Sequence, residues 1–310
     1  MIKYIIKRLL IIIPVMLAVS FIVFTMLRLG PVDPAQAYLL NSRIPPTEEA
    51  LSVTRAELGL DKPFFTQYAL WLKGAVQLDF GLSYMTKRDA FGDLMYYFPV
   101  TLKVTFLAMI VVIIVSIPLG ILGAVKKGSL ADKLIKFFSF IGVSTPSFWF
   151  GFLLIYVFSL KLNILPPFGL DSFSSWIMPI LTLGLMSSAI NTRITRTSFL
   201  EHINNRSVWY LKVNGVQKKT IIGKYVLKNS MLPVITSLGM HFGELIGGAV
   251  VVEVLFALPG VGRYVVSSIT NHDYPVIQCF MILMTGIFII VNLIIDVIYV
   301  YLNPKIKYGV

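Results

Sequence analysis

The feature that most constrains this chain is the grouping of its apolar residues into runs long enough to cross a lipid bilayer. A helix needs about 20 apolar residues to cross a hydrocarbon core about 30 Å thick. Only 14% of the 310 residues are charged, against about a quarter in a typical soluble domain. We therefore expect an all-α membrane protein with six transmembrane helices. The predicted spans are 9–27, 104–125, 137–160, 176–190, 231–256 and 276–301.

Two of these runs are weaker candidates than the others. The run 176–190 is short, and the run 231–256 contains the polar residues His241 and Glu244. The N-terminal run follows a basic start and so also resembles a signal peptide. It is too long for the apolar core of a signal peptide, and no small-residue cleavage site follows it. The sequence therefore favours an uncleaved first span.

The distribution of Lys and Arg between the runs predicts the orientation of the chain. Segment 126–136 has four lysines, and segment 193–228 has eight Lys or Arg residues against Glu201 alone. The connections 161–175 and 257–275 have one basic residue each. Because basic residues concentrate in cytoplasmic loops, we expect both termini to be cytoplasmic. The net charge of +12 then reflects topology rather than nucleic-acid binding, which needs basic residues clustered on a soluble face.

The long segment 28–98 is soluble in character, with seven Lys or Arg residues and eight Asp or Glu residues. Thr47 can cap a helix that begins with Glu48 and ends before Gly59, and a second helix begins near Pro63. The segment is too short for an independent enzyme domain, so we expect a small helical extracytoplasmic cap. The predicted parts of the chain are the first span 1–27, the cap 28–98, the membrane domain 99–302 and a cytoplasmic tail 303–310.

One cytoplasmic segment, 193–232, is too long for a turn and too short for a domain. It contains SVWYLKVN, which mixes apolar and basic residues, and Gly215 follows as a natural C-terminal stop. The pattern predicts a short amphipathic helix at the membrane surface. The residues alone do not separate a docking helix from a basic linker that only enforces topology. The residues of this segment that the resemblance described below marks as docking candidates are Val208, Leu211, Lys212, Val213, Gly215, Asn229 and Pro233.

A series of motifs resembles one protein family from end to end. In sequence and spacing these motifs are similar to the permeases of ATP-binding-cassette (ABC) importers for peptides and nickel. The segments LRLGPVDPA, SSAINTR and GMHFGELIGG are most similar to the nickel branch of that family. The motifs include ELGLDKPFFTQYALWL, LDFGLSY, FPVTLKVT, VSTPSFWFGFLL, EVLFALPGVGRYVVSSITNHDYPVIQ and NLIIDVIYVYLNPKIK.

The resemblance implies a MetI-like permease of the type I importer fold in the bacterial inner membrane. It implies as partners a second, homologous permease of the nickel type, two ATP-binding subunits and an extracytoplasmic substrate-binding protein. The helix before Gly215 would dock in a groove of the ATPase, although Leu211 and Val213 replace the small residues usual there. The chain lacks the G-x-x-x-x-G-K-[ST] phosphate-binding loop. We therefore expect a non-catalytic subunit without a cofactor of its own, whose partner ATPases use ATP and Mg²⁺.

Ionisable side chains inside spans are costly and are therefore functional candidates. His241 and Glu244 share one helix face near the middle of the fifth span, where imidazole and carboxylate suit a cation such as Ni²⁺. The alternative is that the pair only stabilises packing. Glu253 is a candidate for the outer mouth of the path, or for bracing the turn at 258–260. Further path candidates, with packing as their alternative, are Met240 and Met186.

We therefore expect the permease of an importer for nickel, free or chelated, with transient metal contacts at His241 and Glu244. Import of dipeptides, oligopeptides or other metal chelates, such as those of cobalt or a metallophore, is the alternative. A membrane enzyme is disfavoured because no catalytic triad, H-E-x-x-H motif or carboxylate dyad lies in the spans. A channel is disfavoured by the docking helix. The single cysteine, Cys279, excludes an internal disulfide and a multi-cysteine zinc site.

Overall fold

The structure, a computed structural model, describes residues 2–170 and 172–302, and the side chains of 10–170 and 172–298. The predicted tail 303–310 lies outside these residues. The regular elements of the described ranges are helices, and no strand occurs among them. In chain order the α-helices are α1 (Ile2–Arg28), α2 (Pro34–Asn41), α3 (Glu48–Glu57), α4 (Phe64–Val76), α5 (Ala90–Val125), α6 (Leu130–Ser144), α7 (Ser147–Leu154), α8 (Ile177–Ile203), α9 (Arg206–Val213), α10 (Lys218–Thr220), α11 (Leu227–Leu255), α12 (Val261–Thr270) and α13 (Tyr274–Leu302).

Three shorter helical turns extend these α-helices. A π-helical turn, Ile155–Lys161, continues α7, and a second, Ile221–Val226, joins α10 to α11. A 3₁₀ turn, Phe173–Trp176, precedes α8. Because of these turns, several spans are longer than their α-helical parts alone.

The predicted third span is bent rather than straight. It consists of α6 and α7, which meet at an angle of 105°. Pro146 explains the break, since proline lacks an amide hydrogen and disfavours helical backbone at the residue before it. Thr145 is accordingly extended, with φ −95° and ψ 124°. With this bent pair counted as one span, the described residues contain the six spans that the sequence predicts, the other five being Leu10–Arg28, Ala90–Val125, Phe173–Ile203, Lys218–Leu255 and Tyr274–Ile298.

The fourth and fifth spans are longer than hydropathy predicts. Helix α8 continues past the predicted end at residue 190 to Ile203, and the helix that leads into α11 begins at Lys218. Pro233, near the predicted start of the fifth span at residue 231, lies inside α11. Most of segment 193–232 is therefore helix and not loop. The polar residues in the extension of α8 that are buried by protein are Asn191, Thr192, Thr195 and Ser198.

The described helices form two compact units. The first contains Thr101–Leu258 and the described residues from Val291 onward, and the second contains Ile2–Val100 and Pro259–Ile290. In the first unit, α8 is the central helix and packs against α6, α7 and α11. Hydrogen bonds join α8 to α11, since Ser198 Oγ donates to Ser230 O at 2.9 Å and Ser237 Oγ donates to Asn191 Oδ1 at 2.9 Å.

A buried carboxylate fixes the connection between α5 and α6 to α8. Asp132 is 0% exposed and accepts two hydrogen bonds from Arg196, from Nε at 2.7 Å and from Nη2 at 3.0 Å. It also accepts a bond from Gly128 N at 2.9 Å, and Lys136 Nζ lies 3.3 Å away. A buried carboxylate is tolerated only with such partners. The lysine-rich segment 126–136 and the basic end of α8 therefore lie at the same end of this unit.

The second unit contains α1 and the predicted cap. Phe24 of α1 packs against Phe64, Tyr68 and Trp71 of α4, with ring centroids 5.4–5.6 Å apart. The predicted α3 is present, because Thr47 Oγ1 accepts a hydrogen bond from Ala50 N at 3.3 Å and α3 spans Glu48–Glu57.

Two buried hydrogen-bond groups hold the rest of the second unit. Asp273 is 0% exposed and accepts a hydrogen bond from Ser83 Oγ at 2.5 Å and one from Tyr84 N at 3.0 Å. Burial raises the pKa of the Tyr264 phenol, so its hydroxyl stays protonated and donates to Asp93 Oδ2 at 3.0 Å.

Candidate functional site

Helix α11 has one side that packs inside the protein and one side that is exposed. The exposed stripe carries Met240 (58% exposed), Glu244 (side chain 66% exposed), Val251 and Val254. An ionised carboxylate inside a span is costly where it faces lipid. This side of α11 is therefore suited to water or to another protein chain. The buried side includes Ser230, Val234, Leu238, His241, Leu245, Ala249 and Val252.

His241 and Glu244 contact each other, as their spacing predicts. His241 Nδ1 lies 2.6 Å from Glu244 Oε2. The imidazole is buried, whereas the carboxylate is exposed, so Glu244 is the group that another molecule can reach. Among the described residues, no three or more His, Cys, Asp and Glu side chains are grouped to hold a metal ion. The pair supplies two ligands, fewer than the three or four protein ligands of typical zinc sites.

The methionine candidates lie on accessible or partly accessible faces. Met240 is on the exposed stripe of α11, and Met186 is half-buried on α8. Met186 lies one turn before Ile190, so the two share a face of α8. That face leads to a cavity of about 450 Å³ at the far end of α8, which is lined by Ile190, Arg193, Ile194, Thr197, Ser198, Glu201 and Pro233.

Glu253 is fully buried at the end of α11. Thr101 Oγ1 donates a hydrogen bond to Glu253 Oε1 at 2.5 Å. The backbone carbonyl of Glu253 accepts a bond from Leu258 N at 2.9 Å, which closes the turn after α11. The carboxylate is therefore not on an accessible surface of this chain, and its role at the outer mouth or in bracing the turn stays a prediction.

The predicted short helix is present as α9, and its C-terminal end is a Schellman motif. Val216 N donates to Leu211 O at 3.1 Å, and Gly215 N donates to Lys212 O at 3.1 Å. Gly215 has φ +76°, in the left-handed region that glycine adopts without steric cost. Asn205 caps the other end, where its side chain accepts a hydrogen bond from Ser207 N. The chain direction at both ends of α9 is therefore well determined.

Two of the docking candidates on α9 face the rest of the chain and not the outside. Val208 is buried and Leu211 is half-buried, and both pack in a cluster with Phe199, Ile221 and Val226 of the same chain. These two docking candidates therefore hold α9 in place and do not face outward. The exposed face carries Trp209 (66% exposed), Tyr210 (65%) and Val213 (65%), together with the exposed Lys212.

Trp209 and Tyr210 are not among the candidate residues predicted from the sequence. Both lie in the SVWYLKVN segment, and an exposed cluster of two aromatic residues and a valine is typical of protein interaction sites. Their residue type could have identified them as interface candidates, since tryptophan and tyrosine are enriched at the centres of interfaces. Over eight residues with five apolar positions, periodicity does not determine which face is buried.

Asn229 and Pro233 shape the entry to α11. Asn229 is exposed, and its Nδ2 donates to Tyr225 O at 2.9 Å. Pro233 follows four residues later, and proline has no amide hydrogen to donate to the carbonyl of Asn229. The π-helical turn Ile221–Val226 comes directly before this point. Such irregularities bend or widen a helix locally, so the entry to α11 departs from regular α-helical hydrogen bonding at the π-helical turn and at Pro233.

Two known families match this chain, each over a different part of it. Residues 116–308 match the family described as the binding-protein-dependent transport system inner membrane component. Residues 1–105 match the corresponding N-terminal membrane component. A solved structure of an amino acid ABC transporter with histidines has a TM-score of 0.51 and 16% identity, and covers 69% of this chain and 94% of its own. This likeness supports the fold alone.

Curated relatives extend over almost the whole chain. The glutathione transport system permease proteins GsiC of Escherichia coli (strain K12) and of Shigella dysenteriae serotype 1 (strain Sd197) are each 38% identical to it over 308 residues. The alignment covers 99% of this chain and 100% of each relative. The chain belongs to the binding-protein-dependent transport system inner membrane component family and is a permease subunit of an ABC importer.

Proposed function

We propose that this permease forms, with a second permease, the transmembrane path for a peptide-sized cargo that bears a positively charged group. The observation that carries the proposal is the accessible carboxylate of Glu244, within an otherwise apolar exposed stripe of α11. A carboxylate in this position favours an ammonium group or a metal cation and disfavours an anion. The relatives that transport glutathione support a peptide-sized cargo for this chain.

The partners follow from the same proposal. A second permease faces the exposed stripe of α11 across the path, and two ATP-binding subunits supply the ATP hydrolysis for which this chain has no phosphate-binding loop. An extracytoplasmic binding protein delivers the cargo to the cap side. The aromatic face of α9 docks on an ATPase, because Trp209 and Tyr210 are large, rigid and exposed. Under this arrangement both termini are cytoplasmic, and the membrane is the inner membrane of a bacterium.

Nickel, free or chelated, is the second candidate cargo. The contact between His241 Nδ1 and Glu244 Oε2 favours it, since imidazole and carboxylate are both ligands for borderline metal ions. Two ligands do not complete the shell of such an ion, so the cargo would bring most ligands itself. A chelate of this kind is also peptide-sized, and Glu244 would make a weak, transient contact with either cargo.

Uptake by cells that carry or lack the gene tests the proposal and separates the two cargoes. Labelled dipeptides with a free or an acetylated N-terminus are compared with labelled nickel and cobalt. We expect uptake of the free dipeptide to exceed that of the acetylated one, because only the free ammonium pairs with Glu244. Preferential gene-dependent uptake of nickel would instead favour the metal candidate.

Two matched substitutions assign the effect to the side chain. Glu244→Gln keeps the size and hydrogen-bonding capacity of the residue but removes its charge, and it should reduce uptake of a cationic cargo by about tenfold, which corresponds to about 1.4 kcal/mol. Thr236→Ala, one turn before Met240 on the same helix, removes no charge and only a hydroxyl that already bonds to Leu232 O, and it serves as the control. Wild-type uptake by Glu244→Gln at wild-type expression would contradict the role of Glu244 in the path.

A further inference from the structure

A second cavity lies where the first span meets the cap. It has a volume of about 430 Å³ and belongs entirely to the second unit. Arg28, the last residue of the span Leu10–Arg28, lines it together with Phe64 and Gln67 of α4. Its volume falls in the range of about 300–1,000 Å³ that is typical of small-molecule sites. The position at the end of a span places the cavity at the membrane–water interface.

The charged residues that line the cavity are Arg28, Arg55 and Asp33, and among the described residues Arg28 forms no ion pair. Asp33 is engaged by Arg55, whose Nε and Nη2 lie 2.8 Å and 2.6 Å from Asp33 Oδ2. The other oxygen, Oδ1, accepts a hydrogen bond from Ala35 N. Arg28 packs over the Phe24 ring at 5.0 Å. Its buried Nε has no hydrogen-bond acceptor among the described residues. The cavity therefore has one positive charge in excess.

Gln67 adds an unsatisfied hydrogen-bond acceptor to the unsatisfied donor of Arg28. Its Nε2 donates to Leu60 O at 3.0 Å and to Lys62 O at 2.8 Å, which fixes the orientation of the amide. Its Oε1 is buried and receives no hydrogen bond within the described part of the chain. Buried polar atoms are normally satisfied. A molecule that fits this cavity should therefore combine an anionic oxygen for Arg28 with a hydrogen-bond donor for Gln67.

We propose that this cavity binds the headgroup of a membrane glycerophospholipid, with the phosphate on Arg28 and a headgroup donor on Gln67. Arginine binds phosphate with strong, charge-assisted hydrogen bonds. Ethanolamine and glycerol headgroups both provide the donor. The acyl chains have an apolar surface to follow, since Leu29 is 76% exposed beside the cavity and Met26 and Ile22 of α1 are 68% and 55% exposed. The lipid would join the first span to the cap at the membrane surface.

Native mass spectrometry of the importer, purified as the complete complex in detergent, tests this site. The complex is supplied with phosphatidylethanolamine, phosphatidylglycerol or diacylglycerol, the last of which has the same chains without a phosphate. We expect at least about tenfold more retained phospholipid than diacylglycerol. Arg28→Gln should lower phospholipid retention by about tenfold, which corresponds to about 1.4 kcal/mol, whereas Arg28→Lys should keep most of it.

The control is Arg43→Gln, which removes the same charge from an exposed residue outside the cavity and should bind lipid as the wild type does. Equal retention of phospholipid and diacylglycerol by the wild type would overturn the proposal even if Arg28→Gln failed to fold. Displacement of the lipid by an equal concentration of inorganic phosphate or of a dipeptide would also overturn it, in favour of a free-anion or cargo site. The readout does not involve uptake, so its outcome is independent of the proposed cargo.

Discussion

Trp209→Ala is the sharpest test of how this permease is coupled to ATP hydrolysis. Trp209 lies at the centre of α9, between two ends that are fixed by the Asn205 cap and by Gly215. Its side chain is exposed, whereas its neighbour Val208 is buried in the permease. Removal of the indole should therefore leave α9 folded and remove a contact with the ATPase alone.

The expected magnitude follows from the exposed area of the indole. A tryptophan has about 150–250 Å² to bury, and Trp209 is 66% exposed, which leaves about 100–165 Å² for a partner. At about 25 cal/mol per Å², complete burial at an interface is worth about 2.5–4 kcal/mol. A loss of that size raises the dissociation constant by about 60-fold to 1,000-fold. This is the range of an interface hot spot.

The assay measures binding of the ATP-binding subunits to the permease pair in nanodiscs. The control is Phe173→Ala, which removes an aromatic residue that is 82% exposed but lies before α8, away from α9. We expect Phe173→Ala to bind ATPase normally. Val208→Ala serves as a contrast, because a buried truncation should lower thermal stability by about 1–3 kcal/mol through a cavity.

One result would refute the reasoning. If Trp209→Ala binds the ATPase with wild-type affinity and still supports ATP-driven uptake, the exposed aromatic face of α9 is not the docking surface. In that case the basic residues of the same segment would serve topology alone.

Two further predictions concern the packing and the topology of the chain. Asp132→Asn removes the charge that holds Arg196 and Lys136, and the loss of one partner of a buried ion pair should lower stability by about 3–5 kcal/mol. The thermal midpoint of the solubilised protein measures this loss. The control is Lys136→Gln, which removes the exposed partner and should cost no more than about 1 kcal/mol. For topology, Ser52→Cys should react with a membrane-impermeant thiol reagent added outside intact cells, and Lys127→Cys only after permeabilisation, because basic loops stay in the cytoplasm. Cys279 is buried and should give no background, and labelling of both variants from outside would contradict the predicted orientation.

The spans could be predicted from sequence because each is a local property of the chain. A continuous apolar run satisfies its backbone internally as a helix and needs no information from elsewhere in the fold. The Gly215 turn was predictable for the same reason, since a left-handed residue after an amphipathic helix depends on a single glycine. Both features are present in the structure, although the third span is bent and several spans extend beyond their predicted bounds.

The end of α8 could not be predicted in the same way. Hydropathy estimates transfer into lipid, but Asn191 accepts a hydrogen bond from Ser237 of α11, and Ser198 donates to the Ser230 carbonyl. Polar side chains that are satisfied by a neighbouring helix extend a membrane helix without lowering its stability. The sequence contains no local signal for such a neighbour, so the predicted fourth span ended too early.

The orientation of α9 has a consequence for how a docked ATPase could act on the path. Val208 packs with Phe199 of α8 and with Val226 at the entry to α11, so α9 has no core separate from those helices. Well-packed interiors transmit displacement because they have few voids to absorb it. A shift of α9 should therefore reach α8 and α11 together, and α11 carries Glu244 on its exposed stripe. The π-helical turn before α11 is the point at which that motion can change the direction of the helix.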